Sequence, residues 1–165
     1  MKSLYLIINA FTISFPLIRS FESKIHFAKK WKYLIPAMIL TGIFFITWDV
    51  FFTEAGVWGF NPKYLIGLYI LGLPIEEWLF FVTVPFASVF IYECVIYFIP
   101  NLSNAQGIRY ATLGLGFLLV ALASFNFDKA YTFWNFLFTA AFLIATAIKN
   151  PVWFGHFAVT YVLHL

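Results

Sequence analysis

Charge is what this 165-residue chain has least of: ten basic and seven acidic side chains make up 10% of it, while 63% is hydrophobic. Mean hydropathy is +0.91. A soluble domain of this length cannot hide so much apolar surface, because too small a share of its residues reaches the interior. The scarcity of charge therefore excludes a soluble globular protein and predicts an integral membrane protein. Cysteine occurs once, at Cys94 inside an apolar run, so there is no intrachain disulfide and no metal-ligand spacing; the thiol reads as buried and inert. Of the three histidines, His26 sits in a basic loop. His156 and His164 lie eight apart on an apolar stretch without acidic partners, and no metal site is expected. No Gly-x-Gly-x-x-Gly occurs, since Gly114-Leu115-Gly116 runs on into Phe117-Leu118-Leu119, so no Rossmann flavin or nicotinamide site is visible. The two aspartates, Asp49 and Asp128, are far apart, which argues against a magnesium-anchored diphosphate. With no lysine in mid-helix, a retinal Schiff base has no candidate. No cofactor is expected.

Six apolar stretches are present, at about 3–18, 34–53, 64–99, 109–125, 131–148 and 151–165. A crossing needs about 20 residues. The sequence thus predicts an all-α, polytopic membrane bundle with about five full transmembrane helices, a re-entrant or interfacial half-helix, and a truncated sixth. The first run lacks a small-x-small cleavage site and reads as a retained helix. Residues 64–99 are too long for one straight helix; Pro74 divides them into a half-length segment over 64–72 and a crossing that starts at Pro74, a favoured first helical position. Pro85 is expected to kink that helix. The segment 19–32 carries Arg19, Lys24, Lys29, Lys30 and Lys32, with Arg109 and Lys149 on the same side, against Lys2, Lys63 and Lys129 on the other. The positive-inside rule then puts 19–32 in the cytoplasm and the N-terminus outside; a bacterial cytoplasmic membrane is the expected location. The pI of 9.0 reports this topology and not a nucleic-acid partner. Trp31, Tyr33, Trp58 and Tyr64 read as interfacial belt residues.

Two adjacent acids break the apolar run: Leu73-Pro74-Ile75-Glu76-Glu77-Trp78-Leu79-Phe80-Phe81. Acids in the first turn of a helix are ordinary helix grammar. A carboxylate bound for hydrocarbon nevertheless costs several kcal/mol, roughly, and marks a functional site. Under the topology above, Asp49, Glu54, Glu76 and Glu77 share one leaflet's depth with Asn9 and Asn135, and only Glu93 lies much deeper. Glu77 shares a helix face with Phe80, Phe81 and Val84, and Asp49 one with Phe45 and Phe52, next to Trp48. Ring faces stabilise a cation without acting on it as nucleophiles. An acid among rings, without metal or carrier, suits protonation of an alkene, sheltering of the carbocation, ring closure, and loss of a proton elsewhere. Glu93 is expected in a helix–helix hydrogen bond, and Asn9 and Asn135 as interhelical glue. Tyr5-x-x-x-Asn9 reappears as Tyr131-x-x-x-Asn135, 126 positions on, which suggests a duplicated unit whose second copy has begun where the sequence ends.

The Pro74-Ile75-Glu76-Glu77 element with Trp78-Leu79-Phe80-Phe81, preceded by Trp48-Asp49 and Gly56-Val57-Trp58, resembles the small membrane-integral lycopene cyclases of the heterodimeric or fused bacterial, archaeal and fungal type. The resemblance covers residues 1–100 as one cyclase domain and 131–165 as the opening of a second, giving domains of 1–105 and 106–165. It implies cyclisation of the linear ψ-ends of lycopene to β-rings, by an intramolecular lyase (an isomerase) of carotenoid biosynthesis. It also implies a second cyclase domain or subunit, since that family uses two. Glu76 and Glu77 match its acidic motif and inherit an acid/base role. Asp49 joins them as a candidate catalytic residue, with Trp48, Trp78, Phe80 and Phe81 as candidate substrate-holding rings. The competing readings are a proton- or ion-coupled transporter or channel and a non-catalytic carotenoid-binding subunit. Transport calls for polar residues at several depths, and only Glu93, Asn9 and the hydroxyls of Thr41, Thr47, Thr83 and Ser88 could extend a path from the acids.

Overall fold

The computed structural model describes residues 3–102 and 106–163; Lys2 and His164, which entered the charge and metal arguments, lie outside the described residues. The expected all-α class holds, with six α-helices among the described residues. Four of them are long and apolar enough to cross a membrane, the longest running Phe27–Glu54 with its leading 3-10 turn. The chain divides into two compact units, Met1–Cys94 and Val95–Leu165.

The first unit contains α1 (Leu4–Arg19), a 3-10 turn at Phe27–Lys30, α2 (Trp31–Glu54), a short hairpin of β1 (Tyr69–Ile70) and β2 (Leu73–Pro74), and most of α3 (Ile75–Phe98). At about 1.5 Å per residue, the 16 residues of α1 span about 24 Å, short of a hydrocarbon core of about 30 Å. The expected half-helix over 64–72 does not form. That segment is a hairpin in which Tyr69 pairs with Pro74 and Ile70 with Leu73. The two-residue turn has positive φ at both Leu71 (52°) and Gly72 (78°), the requirement of a type I′ turn. Helical spacing of apolar residues misled the reading here, because Gly67 at φ 92° and Gly72 break helix propagation at both ends of too short a run. Pro74 ends β2 and Ile75 begins α3, which runs unbroken through Pro85 to Phe98.

Gly56 has a specific task. The α2 C-cap is Ala55, and Gly56 follows at φ 69°. Its N–H bonds Thr53 O, and the N–H of Val57 bonds Phe52 O at 3.0 Å, the paired bonds of a Schellman motif. The chain therefore doubles back over the end of α2. At the opposite, basic end of the unit, Phe27 is fully buried between Phe86 and Phe90, with ring centroids 5.3 and 5.4 Å away. Glu93, expected in a hydrogen bond between helices, accepts one from Lys30 in the 3-10 turn that leads into α2, as part of an ion pair.

The second unit contains α4 (Gln106–Phe125), α5 (Ala130–Lys149) and α6 (Phe154–Leu163). Thr112, Gly116 and Ala123 of α4 and Ala140, Leu143 and Ala147 of α5 are buried, and small residues of this kind let membrane helices approach closely. A Cβ on Gly116 would sit 2.6 Å from Cγ1 of Ile144. At Gly155 a Cβ would come within 1.9 Å of the Leu102 carbonyl oxygen, a backbone atom that cannot rotate away. Gly155→Ala is therefore expected to destabilise this unit by about 1–3 kcal/mol, read as a lower melting temperature in detergent, whereas Gly114→Ala, whose Cβ would meet nothing within 4 Å, leaves it unchanged. The ring of His156 is buried and pairs through Nε2 with the carbonyl of Ile99 at 3.0 Å. A carbonyl only accepts, so Nε2 carries the proton.

Candidate active site

Three segments of the first unit converge at the end opposite its basic loop: the start of α1, the end of α2 with its returning turn, and the start of α3. Each brings a carboxyl or a group that holds one. Glu76 is completely buried. Its Oε1 accepts the backbone N–H of Ile66 at 2.7 Å, a donor left available because 66 belongs to no helix. Its Oε2 is buried without a hydrogen-bond partner. Asp49 is 5% exposed. Its Oδ1 accepts the indole N–H of Trp58 at 2.6 Å, which the Gly56 turn delivers nine residues later, and Oδ2 is likewise buried and unpartnered. Glu77 is half-buried, and its Oε2 accepts the Tyr5 hydroxyl at 2.5 Å. Asp49, Glu76 and Glu77 thus form one acid cluster at this end of the unit, each held by a donor from another segment.

Asn9 ties α1 to this cluster. It is 3% exposed; its amide donates to the carbonyls of Glu76 at 3.1 Å and Tyr5 at 3.2 Å, and its oxygen accepts from Thr83 at 2.6 Å. All four of its strong hydrogen-bonding positions except one acceptor lone pair are thereby used. The expected glue is present, and it fixes the height of α1 against the first two turns of α3. Asn135 behaves differently: it is exposed and donates to Tyr131 O within its own helix. Glu54, grouped with the other acids by depth, is exposed at the end of α2.

Aromatic rings accompany the acids on α2 and α3. Trp48 stacks on Phe52 at 4.9 Å and Phe52 on Trp58 at 5.0 Å, so an unbroken stack runs to the indole that holds Asp49. Phe80 and Phe81 meet edge to face at 5.7 Å. The Trp78 indole donates to the carbonyl of Ile70, pinning the hairpin to α3. Trp78 and Phe81 also form one end of an apolar cavity of about 470 Å³ between α1, α2 and α3, whose α2 wall runs from Trp31 through Ile35 and Gly42 to Ile46. Fifteen helical steps from Trp31 to Ile46 give that wall a length of about 22 Å. Asp49 lies one turn beyond Ile46 and Glu77 one turn before Phe81 along their helices, so the acids lie beyond this end of the cavity and outside its lining.

Two contributors escaped the sequence reading. Trp58 passed as an interfacial belt residue, and Tyr5 served only as half of a repeat. Trp31, also assigned to the belt, lines the cavity and packs edge to face on Phe86 at 5.7 Å. The signal for Trp58 was its place two residues after a glycine at the end of an acid-bearing helix, where a chain reversal returns it to Asp49. Among the described residues, no group of three or more His, Cys, Asp or Glu side chains is arranged to hold a metal ion.

No curated protein and no solved structure shows significant similarity to this chain. The family model described as lycopene cyclase matches residues 2–95 and 128–165. The first of these segments contains every residue of the acid cluster and its rings. With the match extending over most of its length, the chain belongs to the lycopene cyclase family.

Proposed function

We propose that this chain cyclises the ψ-ends of lycopene to β-rings by cofactor-free acid catalysis inside a membrane, with Glu76 as proton donor. The observation that carries the assignment is the asymmetry of the Glu76 carboxyl. Oε1 is occupied by an N–H donor, so a proton taken up by this fully buried carboxyl goes to Oε2, which has no partner among the described residues. A buried O–H without an acceptor is poised to be given to an alkene. Proton transfer from Glu76 Oε2 to the terminal double bond gives a tertiary cation. The internal double bond attacks it, a carbon–carbon bond closes the six-membered ring, and the charge moves to a ring carbon. Glu77 removes the neighbouring proton to form the ring alkene, and that proton returns to Glu76 before the next turnover. Substrate and product are isomers, so no oxidant or reductant enters the balance. Trp48, Phe80 and Phe81 supply ring faces to the developing cation, Trp78 closes the cavity end, and Asp49, held by the Trp58 indole, is a further acid beside the pair. The apolar cavity accommodates the rest of the polyene.

The repeat points to a second cyclase unit as partner. The two family-matched segments begin 126 positions apart, the spacing that separates Tyr5-x-x-x-Asn9 from Tyr131-x-x-x-Asn135. Residues 128–165 then open a second copy, and a complete enzyme has two such units in one chain or two. The basic segment 19–32 lies on the cytoplasmic side of a bacterial membrane, which puts the acid cluster near the outer face.

The test is expression with a complete second unit in a lycopene-accumulating host. β-ring carotene is the expected product. Recovery of unconverted lycopene, with proton flux in pigment-free liposomes, would establish the transport reading instead; lycopene that co-purifies unconverted and without such flux would establish a binding subunit.

A further inference from the structure

We propose that Tyr5 is a positioning residue for the cyclisation, holding Glu77 as the carboxylate that collects the final proton. The inference rests on the acid/base reading above. The Tyr5 hydroxyl lies 2.5 Å from Glu77 Oε2, across 72 residues of sequence. That contact is set by α1 as a whole. One turn on, Asn9 bonds the backbone of Tyr5, the backbone of Glu76 and the side chain of Thr83, so the phenol can neither slide along α3 nor turn away from it. A phenol donating to a carboxylate oxygen favours the ionised acceptor and fixes its rotamer. Tyr5 donates its hydroxyl to Glu77 and not to Glu76, so the bond favours Glu77 as the proton acceptor and leaves the donor's role to Glu76. When Glu77 accepts the substrate's proton it loses part of the benefit of the Tyr5 bond, which drives that proton back to the vacated Glu76 Oε2. Tyr5 itself neither gains nor loses a proton in the balance.

Tyr5→Phe removes only the hydroxyl and leaves all three Asn9 bonds in place. In the two-unit enzyme it is expected to lower kcat about 10- to 100-fold, the size expected of a hydrogen bond to a charged group, with KM for lycopene within twofold. In a Glu77→Gln background the same change should have no further effect, because the bond it removes is already altered. The infrared carboxylate band that disappears in Glu77→Gln should shift in Tyr5→Phe without any turnover. Unchanged kcat in Tyr5→Phe, full additivity of the two changes, or an unmoved band would each overturn the role of Tyr5. Should Tyr5→Phe fail to accumulate, infrared difference spectra of the ring-deuterated protein with Glu77 and with Glu77→Gln give the same answer: a tyrosine C–O stretch must move when Glu77 becomes glutamine. Retained activity in both Glu76→Gln and Glu77→Gln would instead remove the acid/base reading itself, a result distinguishable from failure at Tyr5 alone.

Discussion

Glu76→Gln is expected to suppress β-ring formation by about 10²- to 10⁴-fold, the range for loss of a general acid, while the protein still accumulates in the membrane. The reason the fold should survive is local. Glutamine is isosteric with the acid, and its amide oxygen can keep the bond from the Ile66 N–H now made to Oε1 at 2.7 Å. Its NH₂ then occupies the site of Oε2, where the acid already has no partner. The substitution therefore exchanges one unsatisfied buried group for another, and the difference in stability is small beside the difference in chemistry: an amide has no proton acidic enough to give to an alkene. The measurement is chromatographic separation of lycopene, monocyclic and bicyclic carotenes extracted from cells, normalised to protein. Wild-type ring formation by Glu76→Gln would remove Glu76 as the donor. Glu76→Asp is a useful companion. It keeps the acid but withdraws it by one methylene, so activity should fall without vanishing.

Much of this site was legible in the sequence, for a physical reason. Burying charge in an apolar run is so costly that Glu76 and Glu77 stand out against their surroundings, and the topology read from the basic residues placed Asp49 at the same depth. The amide at Asn9 was equally legible, since polar side chains inside apolar helices need partners. What was not legible depended on backbone reversals. Trp58 reaches Asp49 only because Gly56 adopts φ 69° and turns the chain back, and Ile66 offers its N–H to Glu76 only because 64–72 forms a hairpin approach and not a helix. In both places a glycine in the left-handed region decides the outcome. Tyr5 illustrates a different limit. Its position on α1 was clear, but which residue of α3 it would meet depends on the relative height of two helices, and that is set by the bonds of Asn9 to Glu76 and Thr83, a property no single-helix pattern contains.

Gly42 offers a second large effect, from steric exclusion. It lines the apolar cavity on α2, and a Cβ there would meet nothing within 4 Å. Its backbone is helical, so a side chain is conformationally welcome: glycine within a helix costs roughly 0.5–1 kcal/mol relative to alanine. Gly42→Ala should accordingly keep both accumulation and activity. Gly42→Phe should also accumulate, but its ring would fill the middle of a cavity of about 470 Å³, and conversion of lycopene should fall by at least about tenfold, since each 1.4 kcal/mol of lost binding costs that factor. Position refines the expectation. Gly42 lies seven residues from Asp49, about 10 Å along the helix axis, so the blockade falls on the part of the polyene remote from the reacting end. A shortened acyclic polyene that keeps the ψ-end but does not reach Gly42 should be cyclised equally by Gly42→Phe and the wild type, while full-length lycopene is rejected. Equal conversion of lycopene by both proteins would show that the polyene lies elsewhere, and loss of the short substrate as well would show that the ring disturbs the acids and does not merely occupy the path.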